Sequence, residues 1–389
     1  MNMSQVMKII IDGEYNRDLI AHIKNDKLPI THIIVHVPQS SIGNSSIFLP
    51  KNLPSFSEFE EYTRLIQENG IIPIAGLDST CQGNLEAHIQ QYEANNSLFK
   101  KLNSLDYKEI LVSSPNNVGY VKANYPSMKI YLSYSQYVTS INRAKIFFKL
   151  GINSIILHPD IIRFFHALES FIKFKEISHQ SHKIDYILPL NLGCNWGCIH
   201  WYQHHNLQSH RTINSPVLSD QEQISNVDDE FDYSLLYCWK KRLKEPVNIL
   251  KSGWISPENV DFYKNMGYQN FLLFTSGFST NKIIKLIKSY IDKSLEEPFN
   301  EYLNIPQPYG SYWPKNGTKQ ALIQLSPDNL SRFVRHYPYH NYYPFENEMN
   351  EYCENYLQYF KVGNVQEREK LLETINKKMN EMRKGTLKG

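Results

Sequence analysis

Short apolar runs, many of them β-branched, recur through the first 295 residues of this chain, and helical sequence separates each from the next. They begin at Lys8, Thr31, Ile71, Ile110, Lys129, Ser154, Ile184 and Phe271. Each run is about as long as a strand, and the intervening sequence has helical periodicity at Arg17–Lys24, Ser57–Asn69, Asn84–Leu105, Ser140–Leu150, Ile161–Lys173 and Asn281–Leu295. Ser57 reads as an N-cap, and Gly70 stands where a left-handed C-cap belongs. Eight strands alternating with helices predict an α/β fold, a (β/α)8 TIM-like barrel. An open doubly wound sheet is the competing architecture. It has less support, because no Gly-x-Gly-x-x-Gly follows the first run and no Walker loop occurs.

The rhythm breaks once, between Leu190 and Phe271, where the chain is far longer than an ordinary loop. The reading is therefore a barrel over residues 1–295 with an insertion at about 191–256 between strands seven and eight. An aromatic-rich, helical C-terminal extension follows over 296–389. The balance of 41 basic against 39 acidic side chains, a net charge of +2, gives no footprint of an obligate duplex-DNA binder. The longest apolar runs, Ile71–Leu77 and Ile184–Leu190, fall well short of the roughly 20 residues of a membrane helix. Met1-Asn2-Met3-Ser4-Gln5 carries neither the charged nor the apolar segment of an export signal. A soluble, cytoplasmic protein with reduced thiols is expected.

Of the five cysteines, Cys194 and Cys198 form a Cys-x3-Cys in Asn191-Leu192-Gly193-Cys194-Asn195-Trp196-Gly197-Cys198, directly after the seventh run. Cys81 follows the third run, at the same end of a barrel, where chemistry concentrates in this fold. Cys238, within the insertion, can fold back to supply a fourth thiolate, completing the donor set of a 4Fe-4S cluster or a structural zinc. Cys353 reads as a small buried hydrophobe. A radical-SAM motif needs a further cysteine where Trp201 stands, and the chain has no His-Glu-x-x-His and no Gly-x-Ser-x-Gly. His200, His204, His205 and His210 are alternative zinc donors, with His200 and His204 sharing one face if the stretch is helical.

The same rim collects other polar candidates: Glu14, His36, Asn116, Asn117, Ser133, Tyr134, His158 and Asp160. His158 and Asp160 are read as acid–base partners. The alternative is that Asp160 caps the helix Ile161–Lys173. His36, Asn116, Tyr134, His204 and His210 are the candidates for binding substrate.

The cysteine spacing, Asp78-Ser79-Thr80-Cys81-Gln82-Gly83-Asn84-Leu85-Glu86, the His204 and Ser209-His210 that follow Cys198, and Ser252-Gly253-Trp254-Ile255-Ser256-Pro257-Glu258-Asn259 together resemble the collagenase-like peptidase U-32 family. The resemblance covers roughly Lys8–Tyr302. It implies a TIM-like barrel whose 4Fe-4S cluster is held by Cys81, Cys194, Cys198 and Cys238, and an oxidoreductase that in some members hydroxylates RNA bases or a cofactor precursor without oxygen. Departures from the family pattern are Ile199 in place of a proline, and Phe271–Ser276 in place of a basic Phe-Lys-x-x-x-Arg. The second departure points away from RNA and toward a small molecule, a peptide or a nucleotide in a biosynthetic setting, with an electron donor or a biosynthetic enzyme as partner. Two alternatives stand beside this reading: a peptidase or zinc hydrolase, and a non-catalytic barrel serving another enzyme.

Overall fold

The computed structural model describes residues 7–13, 15–49, 53–178, 184–218, 233–308, 310–315, 318–336 and 346–384. The chain divides into two compact units, each considered separately below. The first comprises Met1–Leu190, Trp201–Asn226 and Asp261–Ile287; the second comprises Asn191–His200, Val227–Val260 and Lys288–Gly389.

Eight parallel strands close into a barrel in sequence order: β1 Lys8–Asp12, β2 Ile30–His36, β3 Ile72–Leu77, β4 Glu109–Val112, β5 Lys129–Leu132, β6 Ser154–Ile156, β7 Asp185–Pro189 and β8 Asn270–Phe274. The (β/α)8 architecture read from the repeat is the one observed. Closure is made by β1 against β8, in register from Lys8 opposite Asn270 to Asp12 opposite Phe274. A parallel sheet covered by helices buries both faces of each strand, so these strands are apolar almost throughout. Ile9, Ile74, Ile110, Ile130, Ile155, Leu188 and Leu272 are all fully buried.

The helices are α1 Arg17–Asn25, α2 Phe56–Glu68, α3 Ile89–Ser104, α4 Pro115–Asn124, α5 Ile141–Lys149, α6 Phe165–Ser178, α7 Trp201–Thr212, α8 Tyr233–Lys244, α9 Val247–Lys251, α10 Val260–Met266, α11 Thr280–Asp292, α12 Pro327–Arg335, α13 Glu346–Leu357 and α14 Val365–Lys384. Several boundaries differ from the sequence reading, for local chemical reasons. The N-cap of α2 is Ser55 rather than Ser57. Ser55 Oγ accepts from the Glu58 amide while the Glu58 carboxylate accepts from the Ser55 amide, so this reciprocal pair sets the helix start. The helix expected over Asn84–Leu105 is split at His88, whose extended backbone separates a 3-10 turn at Leu85–Ala87 from α3. The helix expected at Ile161–Lys173 becomes a 3-10 turn at Pro159–Ile161 followed by α6.

In the second unit, apolar packing centres on tryptophans. Trp254 lies 5.5 Å from Phe299 and 6.0 Å from Phe333, and Trp239 lies 5.2 Å from Trp313, between ring centroids. Cys353 is fully buried in α13. The stretch read as one insertion at 191–256 is shared out: 191–200 and 227–256 fall in the second unit and 201–226 in the first. Among the described residues no helix is long and apolar enough to cross a membrane.

The capping box gives a direct check. Ser55→Ala should destabilise the protein by about 1 kcal/mol in a denaturant titration, whereas Ser57→Ala should leave the midpoint nearly unchanged.

Candidate functional site

In a parallel barrel all the C-terminal strand ends meet at one rim, so polar residues at strand ends converge however far apart they are in sequence. Asp12 ends β1, His36 ends β2 and Asp78 follows β3. All three are buried. His36 donates from Nε2 to Asp12 Oδ1 at 2.6 Å and from Nδ1 to Asn44 Oδ1 at 3.2 Å. With both ring nitrogens donating, the ring is an imidazolium. Burial alone would lower its pKa, but the charge and hydrogen bond of Asp12, together with the charge of Asp78, push it up to about 9. Burial raises the pKa of Asp78, which accepts from Ser133 Oγ at 2.8 Å and Ser45 Oγ at 3.0 Å. Only glycine fits at position 76, because a Cβ there would lie 2.7 Å from His36 Nδ1.

Beside this ion network lies an aromatic box containing two histidines of opposite tautomer. Trp201 and His205, one turn apart on the buried face of α7, lie 4.5 Å apart between ring centroids with their planes tilted by 56°. His158, which follows β6, sits 4.1 Å from Trp201 and 3.9 Å from Tyr137, and Tyr134 meets His205 edge-on at 5.5 Å. The Asp160 amide donates to His158 Nδ1 at 3.1 Å, so the proton of neutral His158 is on Nε2. His205 donates from Nδ1 to the Ser45 carbonyl at 2.7 Å, which leaves its Nε2 as an acceptor. Both Nε2 atoms are buried and have no hydrogen-bond partner. Burial, with the neighbouring His205, holds the His158 pKa well below the ordinary histidine value; burial, with His204, takes His205 down to about 3. The two rings therefore offer one N–H donor and one lone pair beside the same indole.

The expected cap is reversed: His158, and not Asp160, caps the 3-10 turn at Pro159–Ile161. The Asp160 carboxylate instead accepts from the Tyr137 hydroxyl at 2.9 Å and lies 3.7 Å from His158 Nδ1. Asn116 is exposed on the first turn of α4, whereas Asn117 is buried. Ser133 serves Asp78, and Glu14 lies outside the described residues. His200 precedes α7 by one residue, so it and His204 do not share a helical face.

Also in the first unit, Cys81 Sγ is 3.2 Å from His210 Nε2 and accepts from the Gly83 amide at 3.5 Å. The Cys81 loop is fastened to α7 by Thr80, whose amide donates to Ser209 Oγ at 2.9 Å and whose hydroxyl donates to Asn206 at 2.7 Å. Within the second unit, Cys238 on α8 receives Arg242 Nη1 at 2.9 Å and Asn195 Nδ2 at 3.2 Å on its sulfur. The segment leading to Cys194 is anchored where Gly193 donates to the Asn304 carbonyl at 2.9 Å and Asn304 to the Asn191 carbonyl at 2.8 Å.

No family model matches the chain. An uncharacterized protease of Methanocaldococcus jannaschii is 21% identical over 255 residues, 65% of this chain and 70% of its own length. The solved U32 peptidase Mk0906 superposes with a TM-score of 0.50 at 17% identity, covering 71% of this chain and 95% of its own. The chain thus shares the barrel fold of a U32 peptidase and is similar in sequence to a protein named a protease.

The resemblance read from the sequence implies a cluster, and the question is whether these cysteines suit a metal group. Cys81, Cys194, Cys198 and Cys238 are all partly exposed and outside any disulfide, whereas Cys353 is buried. Among the described residues no three of His, Cys, Asp and Glu gather into a cage for one ion. The donor chemistry nonetheless fits thiolate ligation. N–H groups donate to two of the four sulfurs, the Gly83 amide to Cys81 and Arg242 and Asn195 to Cys238, and beside Cys238 both Arg242 Nε and Asn195 Oδ1 are buried without partners among the described residues.

Asp12 escaped the sequence reading, although it is the one acidic position of the run Lys8–Asp12 and falls at its C-terminal end, a legible signal. His205, read as an alternative zinc donor, shares with Trp201, Gln208 and Ser209 the spacing of a buried helical face and lies in the aromatic box instead.

The two kinds of histidine predict a stability maximum near neutral pH. The His36 pKa is higher in the fold than the ~6.5 of an unfolded chain, so its contribution is complete below that value and is lost as pH rises through about 9. The His205 pKa is lower in the fold, so stability falls as pH drops from ~6.5 toward about 3. In melting curves recorded from pH 4 to 10, His36→Gln should flatten the alkaline limb relative to wild type, and His205→Phe the acidic limb.

Proposed function

We propose that this chain is a U32-related iron–sulfur oxidoreductase. Cys81, Cys194, Cys198 and Cys238 are the residues that would hold a 4Fe-4S cluster, and the reaction is oxygen-independent hydroxylation or a related tailoring of a small molecule, peptide or nucleotide. One observation carries this reading: the same four cysteines that the resemblance names are partly exposed, with nitrogen donors on the sulfurs of Cys81 and Cys238, while the fifth is buried in a helix. When bound, such a cluster supplies one-electron transfer.

The remaining chemistry belongs to the side chains of the barrel rim. His158 Nε2–H and His205 Nε2 bind and orient an uncharged polar group of the substrate beside Trp201, since neither ring carries charge near neutral pH. His36 holds a proton against the Asp12 carboxylate, favoured also by the charge of Asp78. The surrounding apolar packing keeps water away from these groups.

Anaerobic purification followed by iron and sulfide analysis tests the reading. Wild type should carry about four irons per chain with a broad visible absorbance. Cys194→Ala should lose both, and Cys353→Ala should keep them. Zinc in place of iron, or no metal at all, would overturn it.

A second reading rests on the Cys81–His210 contact. At 3.2 Å the imidazole is within reach of the thiol proton, the arrangement of an activated nucleophile, and the two related proteins bear the names protease and peptidase. It predicts a colourless, iron-free protein that cleaves a peptide, with cleavage lost in Cys81→Ser.

A further inference from the structure

Arg242 is 1% exposed, and its hydrogen bonds go to two acceptors: Nη1 to Cys238 Sγ at 2.9 Å, and Nη2 to the Gly193 carbonyl. Among the described residues no carboxylate pairs with it, and its Nε is buried without a partner. One face of the guanidinium lies over Trp239, with Cζ 5.9 Å from the ring centroid. A guanidinium stays charged at any ordinary pH, and a buried charge without a counter-ion is strongly unfavourable. Of the two groups its fork touches, the sulfur of Cys238 and the carbonyl of Gly193, the sulfur is the one that can carry a negative charge when it binds a metal.

We infer that Arg242 is a positioning residue that ties the Cys194 loop to the Cys238 helix and acts as the resident counter-cation for an anionic, metal-bound sulfur at Cys238. The geometry carries this on both sides of the fork. Gly193 immediately precedes Cys194, and Arg242 lies one helical turn beyond Cys238, so a single planar group spans the backbone beside one proposed ligand and the sulfur of another. Asn195 adds a second clasp. Its Nδ2 donates to the sulfur of Cys238 at 3.2 Å and to its carbonyl at 3.3 Å, and its own Oδ1 remains buried and unpartnered. Lysine could supply the charge but could not reach two acceptors at fixed angles. Positive charge and hydrogen bonds at a ligating sulfur stabilise the more negative, reduced state of a cluster, so Arg242 and Asn195 raise its reduction potential.

This inference rests on the iron–sulfur reading, and its test separates the two. Wild type, Arg242→Gln, Arg242→Lys, Asn195→Ser and the buried-core control Cys353→Ala are purified anaerobically. Iron content, midpoint potential and the rate of iron loss to a chelator are measured, along with the melting temperature of the metal-free protein. Arg242→Gln should shift the midpoint to more negative potential and release iron at least tenfold faster. Asn195→Ser should shift the potential in the same direction by less. Arg242→Lys should stay nearer the wild-type potential while still releasing iron faster. Cys353→Ala should lower the melting temperature without moving the potential. If Arg242→Gln does not fold, Arg242→Lys and Asn195→Ser decide the matter by the same two readouts. A wild-type chain without iron overturns the iron–sulfur reading and this inference together. A wild-type chain that holds the cluster, with unchanged potential and release rate in the Arg242 and Asn195 variants, overturns the inference alone.

Discussion

The ladder between β1 and β8 is the interaction on which the first unit depends. Lys8–Asp12 pairs residue for residue with Asn270–Phe274, strands separated by most of the sequence, and this pairing turns an open sheet into a ring. A ring of parallel strands has one C-terminal rim, and every polar residue that ends a strand has to face it. Asp12, His36 and Asp78 meet there because β1, β2 and β3 are direct neighbours that run the same way. Were the sheet open, β1 and β8 would be opposite edges, and Asp12 and Thr275 would be far apart instead of joined by the bond from the Thr275 amide to the Asp12 carbonyl at 3.1 Å.

Burial makes that rim chemically selective. The histidines of one barrel end are driven in opposite directions by what they touch. His36, with a carboxylate at 2.6 Å and donors engaged at both nitrogens, gains more from its partners than it loses to burial and stays charged. His158 and His205, set among Trp201, Tyr134 and Tyr137, have no such partners and stay neutral. The Asp12–His36–Asp78 network therefore carries a charged histidine, while the two histidines of the aromatic box are neutral rings, with the Asp160 carboxylate held by Tyr137 beside His158.

The cysteines separate along the same physical line. Cys353 is packed in the interior of α13 and behaves as a small apolar side chain. Cys81 and Cys238 instead are partly exposed, and their sulfurs accept hydrogen bonds, from the Gly83 amide in one case and from Arg242 and Asn195 in the other.

Much of this was legible in the sequence. Strand number, order and approximate limits follow from apolar runs alternating with amphipathic helices, because burial on both faces requires such runs whatever the tertiary detail. The cysteine loop, His36 and His158 could be placed at strand ends from that pattern alone. Helix starts could not, since Ser55 and Ser57 each have a glutamate three residues on, Glu58 and Glu60, and only the fold selects the pair that forms. The roles of His158 and Asp160 also inverted, because a histidine acting as a cap depends on a tautomer that only its packing selects. The partners that side chains find on other elements, Asp12 for His36, the Ser45 carbonyl for His205 and Asn195 for Cys238, were decided by tertiary structure. Hydrogen bonds act over about 3 Å, and periodicity says which face a residue occupies without saying what lies across from it.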